Sequence, residues 1–257
     1  MVIKDKVFVV SGAASGLGLS TAKGLIDKGG KIIALDISAE KLDKLGNEFP
    51  ESVLTFKTDV QKEQDIANAL EISYSNWGRL DAAIACAGVA PGEKIYSRSK
   101  GSHSSESFEN VIGINLMGTF NLLNVSVPYM VKNEGDSTDG EKGVFIATSS
   151  VAAYEGQIGQ VAYAASKGGV ASLILPAARE LANSGIRVNA IAPGIFKTPM
   201  VENFPEEVQS SLAQQIPFPR RLGQPEEFAA LVVSILTNKM INGTIIRLDG
   251  AVRMGAK

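Results

Sequence analysis

The sequence is poor in the residues that build metal centres and disulfide bonds. Among its 257 residues there is one cysteine, Cys86, and one histidine, His103. A single thiol excludes an intramolecular disulfide, and a lone imidazole leaves no cluster of ligands for zinc. We therefore predict no metal site. A single cysteine at the end of an apolar segment usually packs as a small apolar residue, so we expect no reactive-thiol role for Cys86.

The sequence also lacks a strong bias of charge. Lys and Arg number 25 against 27 Asp and Glu, which gives a formal net charge of -2 and no electrostatic basis for binding nucleic acid or an anionic membrane. No uninterrupted apolar run approaches the roughly 18 residues that span a bilayer. The first residues lack the pattern of a signal or transit peptide. We therefore expect a cytoplasmic globular protein that binds neither nucleic acid nor membrane.

Short apolar segments alternate with longer helical patterns along most of the chain. This alternation is typical of a parallel sheet that helices cover on both faces. The length fits one large α/β domain, residues 1–257. We predict strands at 6–11, 31–35, 53–57, 80–86, 144–148, 186–191 and 244–248. We predict helices at 17–28, 39–47, 61–77, 108–132 and 225–236, a long helix ending at 183, and weak helical character at 205–214.

Two polar segments interrupt this alternation. Residues 92–107 contain Gly and Ser and are too numerous for a routine connection within a compact domain. Residues 133–142, with the sequence NEGDSTDGEK, are typical of an exposed loop tip. Neither segment has a linker composition that would divide the chain, so we predict one domain with two insertions.

A glycine-rich turn follows the first predicted strand and precedes the first predicted helix. Gly12, Gly16 and Gly18 lie there with the spacing G-x-x-x-G-x-G. Glycine in this setting permits a tight turn and lets a pyrophosphate approach backbone amides at a helix N-terminus. The turn therefore indicates a dinucleotide site, with a spacing that differs from the commoner G-x-G-x-x-G.

Two aspartates follow the next strands. Asp36 ends the second strand, where a carboxylate can bind both hydroxyls of an adenosine ribose and repel a 2′-phosphate. This position favours NAD over NADP, and the alternative is a helix cap, a common role for Asp. Asp59, with Val60, follows the third strand and can flank an adenine ring, cap a helix, or do both.

Tyr163 and Lys167 stand four residues apart, which places a phenol and an ammonium on one face of a helix. Ser150 follows the apolar segment 144–147. A strand-end hydroxyl, a phenol and a cation can hold and protonate a carbonyl oxygen; the ordinary alternative is a packing pair on a surface helix. Asn115 is a poor helix former inside a predicted helix. We expect it either to bond the backbone of a neighbouring strand or to hold a water in a proton path.

Together these motifs resemble the short-chain dehydrogenase/reductase family over essentially the whole chain. Within the family, the chain is most similar to the type II 3-hydroxyacyl-CoA dehydrogenases. One departure is ACAG at 85–88, where the family commonly has Asn-Asn-Ala-Gly, but Cys also occurs there in the type II group. The family resemblance is carried by SGAASGLG at 11–18, Asp36, Asp59-Val60, CAG at 86–88, Asn115, Ser150, YAASK at 163–167 and Pro193-Gly194. The type II resemblance is carried by SVAAYEGQIGQVAYAASKGG, NAIAPGIFKTPM, the insert after Pro91 and IIRLDGAVRMG.

The resemblance implies a single doubly wound Rossmann-type α/β domain with a seven-stranded parallel sheet, assembled as a homotetramer. It implies NAD-dependent, reversible oxidation of 3-hydroxyacyl-CoA thioesters to 3-oxoacyl-CoA, with acyl-CoA as the small-molecule substrate. Residues 92–107 are then expected above the carboxyl edge of the sheet, where they help to shape the acyl-CoA entrance. The alternatives are a dehydrogenase of steroids or other secondary alcohols, a 3-oxoacyl thioester reductase, and, in another class, a redox-silent NAD-binding sensor or scaffold.

The resemblance also implies roles for individual residues. Tyr163 is expected to be the general base, with a pKa lowered by Lys167 and a positive nicotinamide. Ser150 should polarise the substrate oxygen, Lys167 should bond the nicotinamide ribose, and Asn115 should support a water-linked proton relay from Lys167. Gln157 resembles a residue that reaches the substrate oxygen. The expected cofactor-binding residues are Gly12, Ser15, Gly16, Leu17, Gly18, Asp36, Asp59, Val60, Cys86, Ala87, Gly88, Tyr163, Lys167, Pro193, Gly194, Phe196 and Thr198.

Overall fold

The computed structural model describes residues 1–202 and 205–256, and a seven-stranded sheet lies at its centre. Its strands are β1 (Val7–Ser11), β2 (Lys31–Asp36), β3 (Val53–Lys57), β4 (Ala82–Ala85), β5 (Tyr96–Ser97), β6 (Gly101–Ser102), β7 (Gly143–Thr148), β8 (Ile186–Pro193) and β9 (Ile245–Leu248). The large sheet has the order β3-β2-β1-β4-β7-β8-β9, and every pairing in it is parallel. This confirms the sheet predicted from the sequence. Strands β5 and β6 form a separate antiparallel hairpin.

Helices cover both faces of the large sheet. They are α1 (Gly16–Ile26), α2 (Ala39–Glu48), α3 (Glu63–Trp77), α4 (Ser105–Ile112), α5 (Gly118–Met130), α6 (Val161–Leu181), α7 (Pro199–Glu202), α8 (Glu206–Gln214) and α9 (Pro225–Thr237). On one face, α1 and α9 bury Leu25 and Phe228 in a shared core. On the other face, α3 and α6 bury Ile66 and Ile174 in a second core.

The side chains of the central strands alternate between these two cores. In β1, Val7 and Val9 join the core beneath α3 and α6. Phe8 and Val10 join the core beneath α1 and α9. Burying one such side chain contributes about 1.5–3 kcal/mol, so the doubly buried strands are a rigid base for the loops at their carboxyl ends.

The helix predicted at 108–132 begins earlier and is not uniform. Ser104 caps it, because its hydroxyl accepts a hydrogen bond from the Ser107 N–H at 3.2 Å. A π-helical turn, Gly113–Met117, lies between α4 and α5. Wider turns of this kind often occur at functional sites. Here the turn contains Asn115, the residue that the sequence identifies as a poor helix former.

Other boundaries differ from the predictions by a few residues. Helix α3 begins at Glu63 rather than at 61, because the Asp59 carboxylate accepts the Gln61 N–H at 3.1 Å in a turn that precedes the helix. Strand β8 continues to Pro193, beyond the predicted end at 191. The predicted irregular segment contains two helices, α7 and α8, of which only α8 was expected.

Two helical stretches, Ser105–Met130 and Val161–Ser184, are long and apolar enough to cross a membrane by length and composition. Polar residues interrupt both stretches, so neither is a continuous apolar run. Both contribute to the core beneath the sheet, where Leu122 and Ile174 are buried. Helices that are buried in a protein core can have the same apolar character. Across the described ranges 1–202 and 205–256, no group of three or more His, Cys, Asp or Glu side chains is placed to hold a metal ion.

Candidate active site

A cavity of about 670 Å³ opens where the loops after β1 and β4 diverge. These two strands are neighbours, and the chain connections run outward from them in opposite directions across the sheet. Such a switch point leaves a crevice at the carboxyl ends of parallel strands. All the residues that the sequence predicts for cofactor or substrate binding line this cavity. Ser150, Tyr163 and Lys167 line it too, whereas Asn115 lies behind the lining.

The glycine-rich turn brings two backbone segments into direct contact. Gly12 has a φ of +66°, and a Cβ added to it would lie 2.8 Å from the Ala87 nitrogen. A Cβ on Gly18 would collide with the carbonyl oxygen of Gly12. Side chains are therefore excluded, and the start of α1, with Ser15 and Leu17, forms part of the cavity surface. The partial positive charge of a helix N-terminus favours an anionic group at this place.

The carboxylate of Asp36 bonds backbone on two sides, and its role toward a ribose stays a prediction. Its Oδ2 accepts the Ala14 N–H of the glycine turn at 3.0 Å, and its Oδ1 accepts the Ser38 N–H before α2 at 3.0 Å. It also lines the cavity. Asp59 lines the cavity as well, and its carboxylate caps the turn at Gln61 rather than α3 itself. Both aspartates thus fix local backbone and face the cavity.

Helix α6 places Tyr163 in its first turn, and both its phenol and the Ser150 side chain line the cavity. Tyr163 keeps some exposure to the cavity, yet burial by the surrounding protein raises the pKa of its phenol above the ordinary value. The Ser150 hydroxyl offsets only part of that rise. The lowering of this pKa expected from Lys167 together with a positive nicotinamide stays a prediction. The Lys167 Nζ lies 5.8 Å from the centre of the Tyr163 ring.

Lys167 is a nearly buried cation, with a relative exposure of 4%. Its Nζ donates a hydrogen bond to the carbonyl oxygen of Thr148, at the end of β7, at 2.8 Å. Burial lowers the pKa of Lys167 to about 8, because the low-dielectric surroundings disfavour the charged form. The Ser149 hydroxyl donates to the Lys167 carbonyl oxygen at 2.9 Å and so joins α6 to the same strand end. Sequence reasoning missed Ser149, although it is adjacent to Ser150.

Asn115 is a fully buried connector between two segments of the site. Its Nδ2 donates to the Val89 carbonyl oxygen at 2.9 Å and to the Ser166 hydroxyl at 3.0 Å. Its Oδ1 accepts the Val89 N–H at 2.8 Å. The sequence analysis expected a bond to the backbone of a neighbouring strand, and the structure shows the bond to Val89, four residues beyond the end of β4. A Cβ on Gly88 would lie 3.1 Å from Asn115 Oδ1 and 3.5 Å from Lys167 Nζ, and the proton relay stays a prediction.

Gln157 lines the cavity and belongs to the segment 155–160, which is bonded on two sides. Its Nε2 donates to the carbonyl oxygen of Gly255 at 3.3 Å. On the other side, the Glu93 N–H donates to the Gly159 carbonyl oxygen at 2.8 Å. The insert 92–107 therefore docks beside the cavity, but none of its residues is among the cavity-lining residues. Its role at the entrance stays a prediction.

Part of the lining is apolar and was not predicted. Strand-like and helical periodicity is weak in the segment after β8. The sequence therefore gave little indication that α7 and α8 both line the cavity. Met254 lies 104 positions after Ser150 in the segment IIRLDGAVRMG, which carries part of the resemblance but indicated no role in the cavity. The apolar side chains concerned are Ile195, Val201, Val208, Leu212 and Met254.

The cavity lies at a switch point of the sheet, and Ser150, Tyr163 and Lys167 line it. The sequence model of short chain dehydrogenases matches residues 6–209. The chain belongs to the short chain dehydrogenase family. It is 47% identical over 257 residues to the 3-hydroxyacyl-CoA dehydrogenase type-2 of Homo sapiens. The alignment covers 98% of this chain and 97% of that relative.

Solved structures agree with this membership. The crystal structure of 3-hydroxyacyl-CoA dehydrogenase type-2 from Mycobacterium avium is similar with a TM-score of 0.91 and 38% identity, over 98% of this chain and 97% of that one. The 3-ketoacyl-(acyl-carrier-protein) reductase from Brucella melitensis, complexed with NADH, is similar with a TM-score of 0.85 and 26% identity, over 98% of this chain and 100% of that one.

Proposed function

We propose that this protein is an NAD-dependent dehydrogenase that reversibly oxidises the 3-hydroxyl group of 3-hydroxyacyl-CoA thioesters to a 3-oxo group. The observation that carries the proposal is the meeting of Ser150, Tyr163 and Lys167 in one cavity that also has an apolar wall. The hydroxyl and phenol suit an alcohol oxygen, and the apolar wall suits an acyl chain. The name 3-hydroxyacyl-CoA dehydrogenase type-2, borne by relatives that match nearly the whole chain, supports the substrate class.

The residues near the glycine turn fit NAD. The absence of side chains at Gly12 and Gly18 leaves backbone at the cavity surface, and the start of α1 offers partial positive charge. The Asp36 carboxylate faces the same cavity and would repel a 2′-phosphate. We therefore expect NADH to bind at least about tenfold more tightly than NADPH, as tested by fluorescence titration. Tighter binding of NADPH would contradict this role of Asp36.

When bound, NAD would supply the acceptor for the hydride that leaves carbon 3 of the substrate. The residues of the chain act on the hydroxyl group. The Ser150 hydroxyl holds its oxygen, the Tyr163 phenolate takes its proton at Oη, and the nearby Lys167 ammonium favours that phenolate. Because burial raises the pKa of Tyr163, the phenol is mostly protonated at neutral pH. Oxidation should therefore accelerate as the pH rises, while the protonated phenol suits the reverse reduction.

The proposal is tested by mixing the purified protein with NAD and 3-hydroxybutyryl-CoA and following NADH absorbance. A steroid and a simple secondary alcohol serve as competing substrates in parallel reactions. Good turnover of a steroid or alcohol without turnover of the thioester would remove the acyl-CoA part and leave a dehydrogenase. Binding of NADH without turnover of any substrate would instead support a redox-silent NAD-binding protein.

The insert 92–107 is part of this proposal as one side of the acyl-CoA entrance. Support comes from the hydrogen bond between Glu93 and Gly159, because Gln160, the next residue, lines the cavity. Replacing residues 94–102 by a short glycine linker should raise KM for the thioester and leave KM for a small alcohol unchanged. Equal effects on both substrates would mean that the insert does not contact CoA.

We also propose that the protein assembles as a homotetramer. Support comes from Met117 and Phe120, each 47% exposed although large and apolar. They are three residues apart and therefore share a helix face. An apolar face of this kind on a helical surface is suited to contact with a second copy of the chain.

A further inference from the structure

Residues 252–256 follow a tight reversal of the chain and contribute to a wall of the cavity through Met254. The reversal follows β9 at Gly250 and Ala251, whose φ angles are +57° and +66°. Ala251 carries a Cβ, so this left-handed conformation is strained and requires support from its surroundings. Beyond the reversal, Val252 is fully buried and Met254 lines the cavity.

Four charged side chains support this wall, and we call them the charged clamp: Glu155, Arg247, Asp249 and Arg253. Arg247 donates to the two carboxylate oxygens of Glu155 at 2.8 and 3.2 Å. Its Nε donates to Asp249 at 2.7 Å. Arg253 lies 3.4 Å from Glu155 and 3.1 Å from Asp249. A bidentate pair within a network is stronger than an isolated surface pair.

The charged clamp also holds the backbone of the wall. The Asp249 Oδ1 accepts the N–H of the strained Ala251 at 3.0 Å. The Glu155 Oε2 accepts the N–H of Met254 at 3.1 Å. The carboxylates are shielded, with Glu155 20% and Asp249 8% exposed at the side chain. Met254, which lines the cavity, is therefore held in place by a hydrogen bond to its backbone N–H.

The same wall holds the segment that carries Gln157. The Ile158 N–H donates to the carbonyl oxygen of Ala256 at 3.0 Å. The Gln157 side chain donates to Gly255. Glu155 lies at the start of this segment, so the charged clamp joins both sides of the contact. A change in the clamp must therefore move Met254 and Gln157 together.

Resting on the proposed function, we propose that the charged clamp sets the acyl-chain-length preference by fixing Met254 and Gln157 at the substrate cavity. Met254 is the specificity-determining residue, because its unbranched side chain occupies space that a longer acyl chain would need. Glu155 and Arg247 are positioning residues. They line no part of the cavity and act through the backbone that they bind.

The test compares kcat and KM for 3-hydroxybutyryl-CoA and 3-hydroxydecanoyl-CoA in the purified protein. Met254→Ala and Glu155→Gln should each raise the ratio of kcat/KM for the longer over the shorter thioester by about 5-fold or more, because pockets discriminate single methylene groups on this scale. For Glu155→Gln the change should be in KM, with kcat nearly unchanged. The double variant should give less than the product of the two effects, since both act on one wall.

Glu48→Gln is the matched control. Glu48 pairs with Lys23 at 2.7 Å, outside the cavity lining, and its loss should leave the ratio unchanged.

If the thioesters are turned over and the ratio is unchanged in both Met254→Ala and Glu155→Gln, the inference is wrong and the proposed function stands. If the wild-type chain turns over neither thioester, the proposed function is wrong, and 2-butanol and 2-decanol replace them in the same comparison. A changed alcohol ratio then supports the clamp, an unchanged one overturns it, and turnover of none of the four overturns both proposals.

Discussion

Tyr163 and Lys167 lie one helical turn apart, and the protein shifts their pKa values in opposite directions, upward for the phenol and downward for the ammonium. Both shifts have the same main cause, because burial disfavours the charged form of each group. Perturbed groups of this kind in a cavity are candidates for catalysis. The chain thus places a phenol with a raised pKa and an ammonium with a lowered pKa where substrate and cofactor are proposed to meet.

Tyr163→Phe should reduce kcat by about 100-fold to 10,000-fold, the range that a general acid or base contributes. The phenyl ring keeps the packing, so NADH affinity and folding should be preserved. The measurement is steady-state NADH production together with an NADH titration. Tyr74→Phe, in α3, removes a phenol outside the cavity lining and should retain full activity. Full turnover in Tyr163→Phe would exclude Tyr163 as the base and would favour the redox-silent alternative.

Lys167→Met should abolish a rise in stability at alkaline pH. The ordinary pKa of 10.5 falls to about 8 in the folded chain, so between these values the unfolded chain binds the proton and the folded chain does not. Stability from this residue is therefore lost as the pH falls from 10.5 to about 8, by roughly 3 kcal/mol. Urea unfolding across this range should show wild type gaining stability relative to Lys167→Met as the pH rises. Parallel curves would contradict the lowered pKa, and Lys41→Met, on the exposed surface of α2, is the control.

At the scale of elements, local patterns determine most of what could be predicted. The continuous apolar run of β1 and the glycine turn before α1 are both encoded within a few adjacent residues, so their positions followed from the sequence. The hydrogen bond between Glu155 and Met254 joins residues 99 positions apart, and no periodicity of the sequence predicts it. Asn115 is intermediate, because its helix was evident, whereas the π-helical turn depends on partners at Val89 and Ser166.

Gly168 and Gly169 are adjacent in α6 and should respond differently to alanine. A Cβ on Gly169 would lie 2.8 Å from Leu116 in the π-helical turn, whereas a Cβ on Gly168 meets nothing within 4 Å. Gly168→Ala should stabilise the protein by up to about 1 kcal/mol through helix propensity. Gly169→Ala should be less stable than Gly168→Ala by about 1–3 kcal/mol, because Leu116 must move. Urea denaturation measures both, and equal stabilities would show that Leu116 adjusts freely.

At the scale of the whole molecule, the strand order locates the cavity and the helices leave an unpartnered apolar face. The switch point between β1 and β4 became evident only in the structure. The cofactor residues were predicted from local motifs and from the family resemblance. Met117 and Phe120 are large, apolar and 47% exposed, and the contact proposed for them is with a second copy of the chain. Local sequence patterns do not identify a contact between copies.

Phe120→Glu should break the proposed tetramer into smaller species, because it places a charge in an apolar contact between copies. Sedimentation velocity over a range of protein concentrations measures the change. Ile72→Glu, at a residue 52% exposed on α3, is the control and should leave the assembly intact. A Phe120→Glu variant with the sedimentation of the wild type would place the subunit contact elsewhere.

Cys86 lines the cavity, accepts a hydrogen bond from the Thr148 hydroxyl at 3.6 Å, and has a pKa raised by burial to about 11. The thiolate is the reactive form, and an unfolded cysteine ionises near a pKa of about 8.5, so the unfolded chain should react with a disulfide reagent about 100-fold faster or more at neutral pH. This cysteine is the only thiol in the sequence. The absorbance change with such a reagent therefore measures the fraction of unfolded molecules. Added NADH should slow the reaction of Cys86 to the extent that its binding stabilises the folded chain.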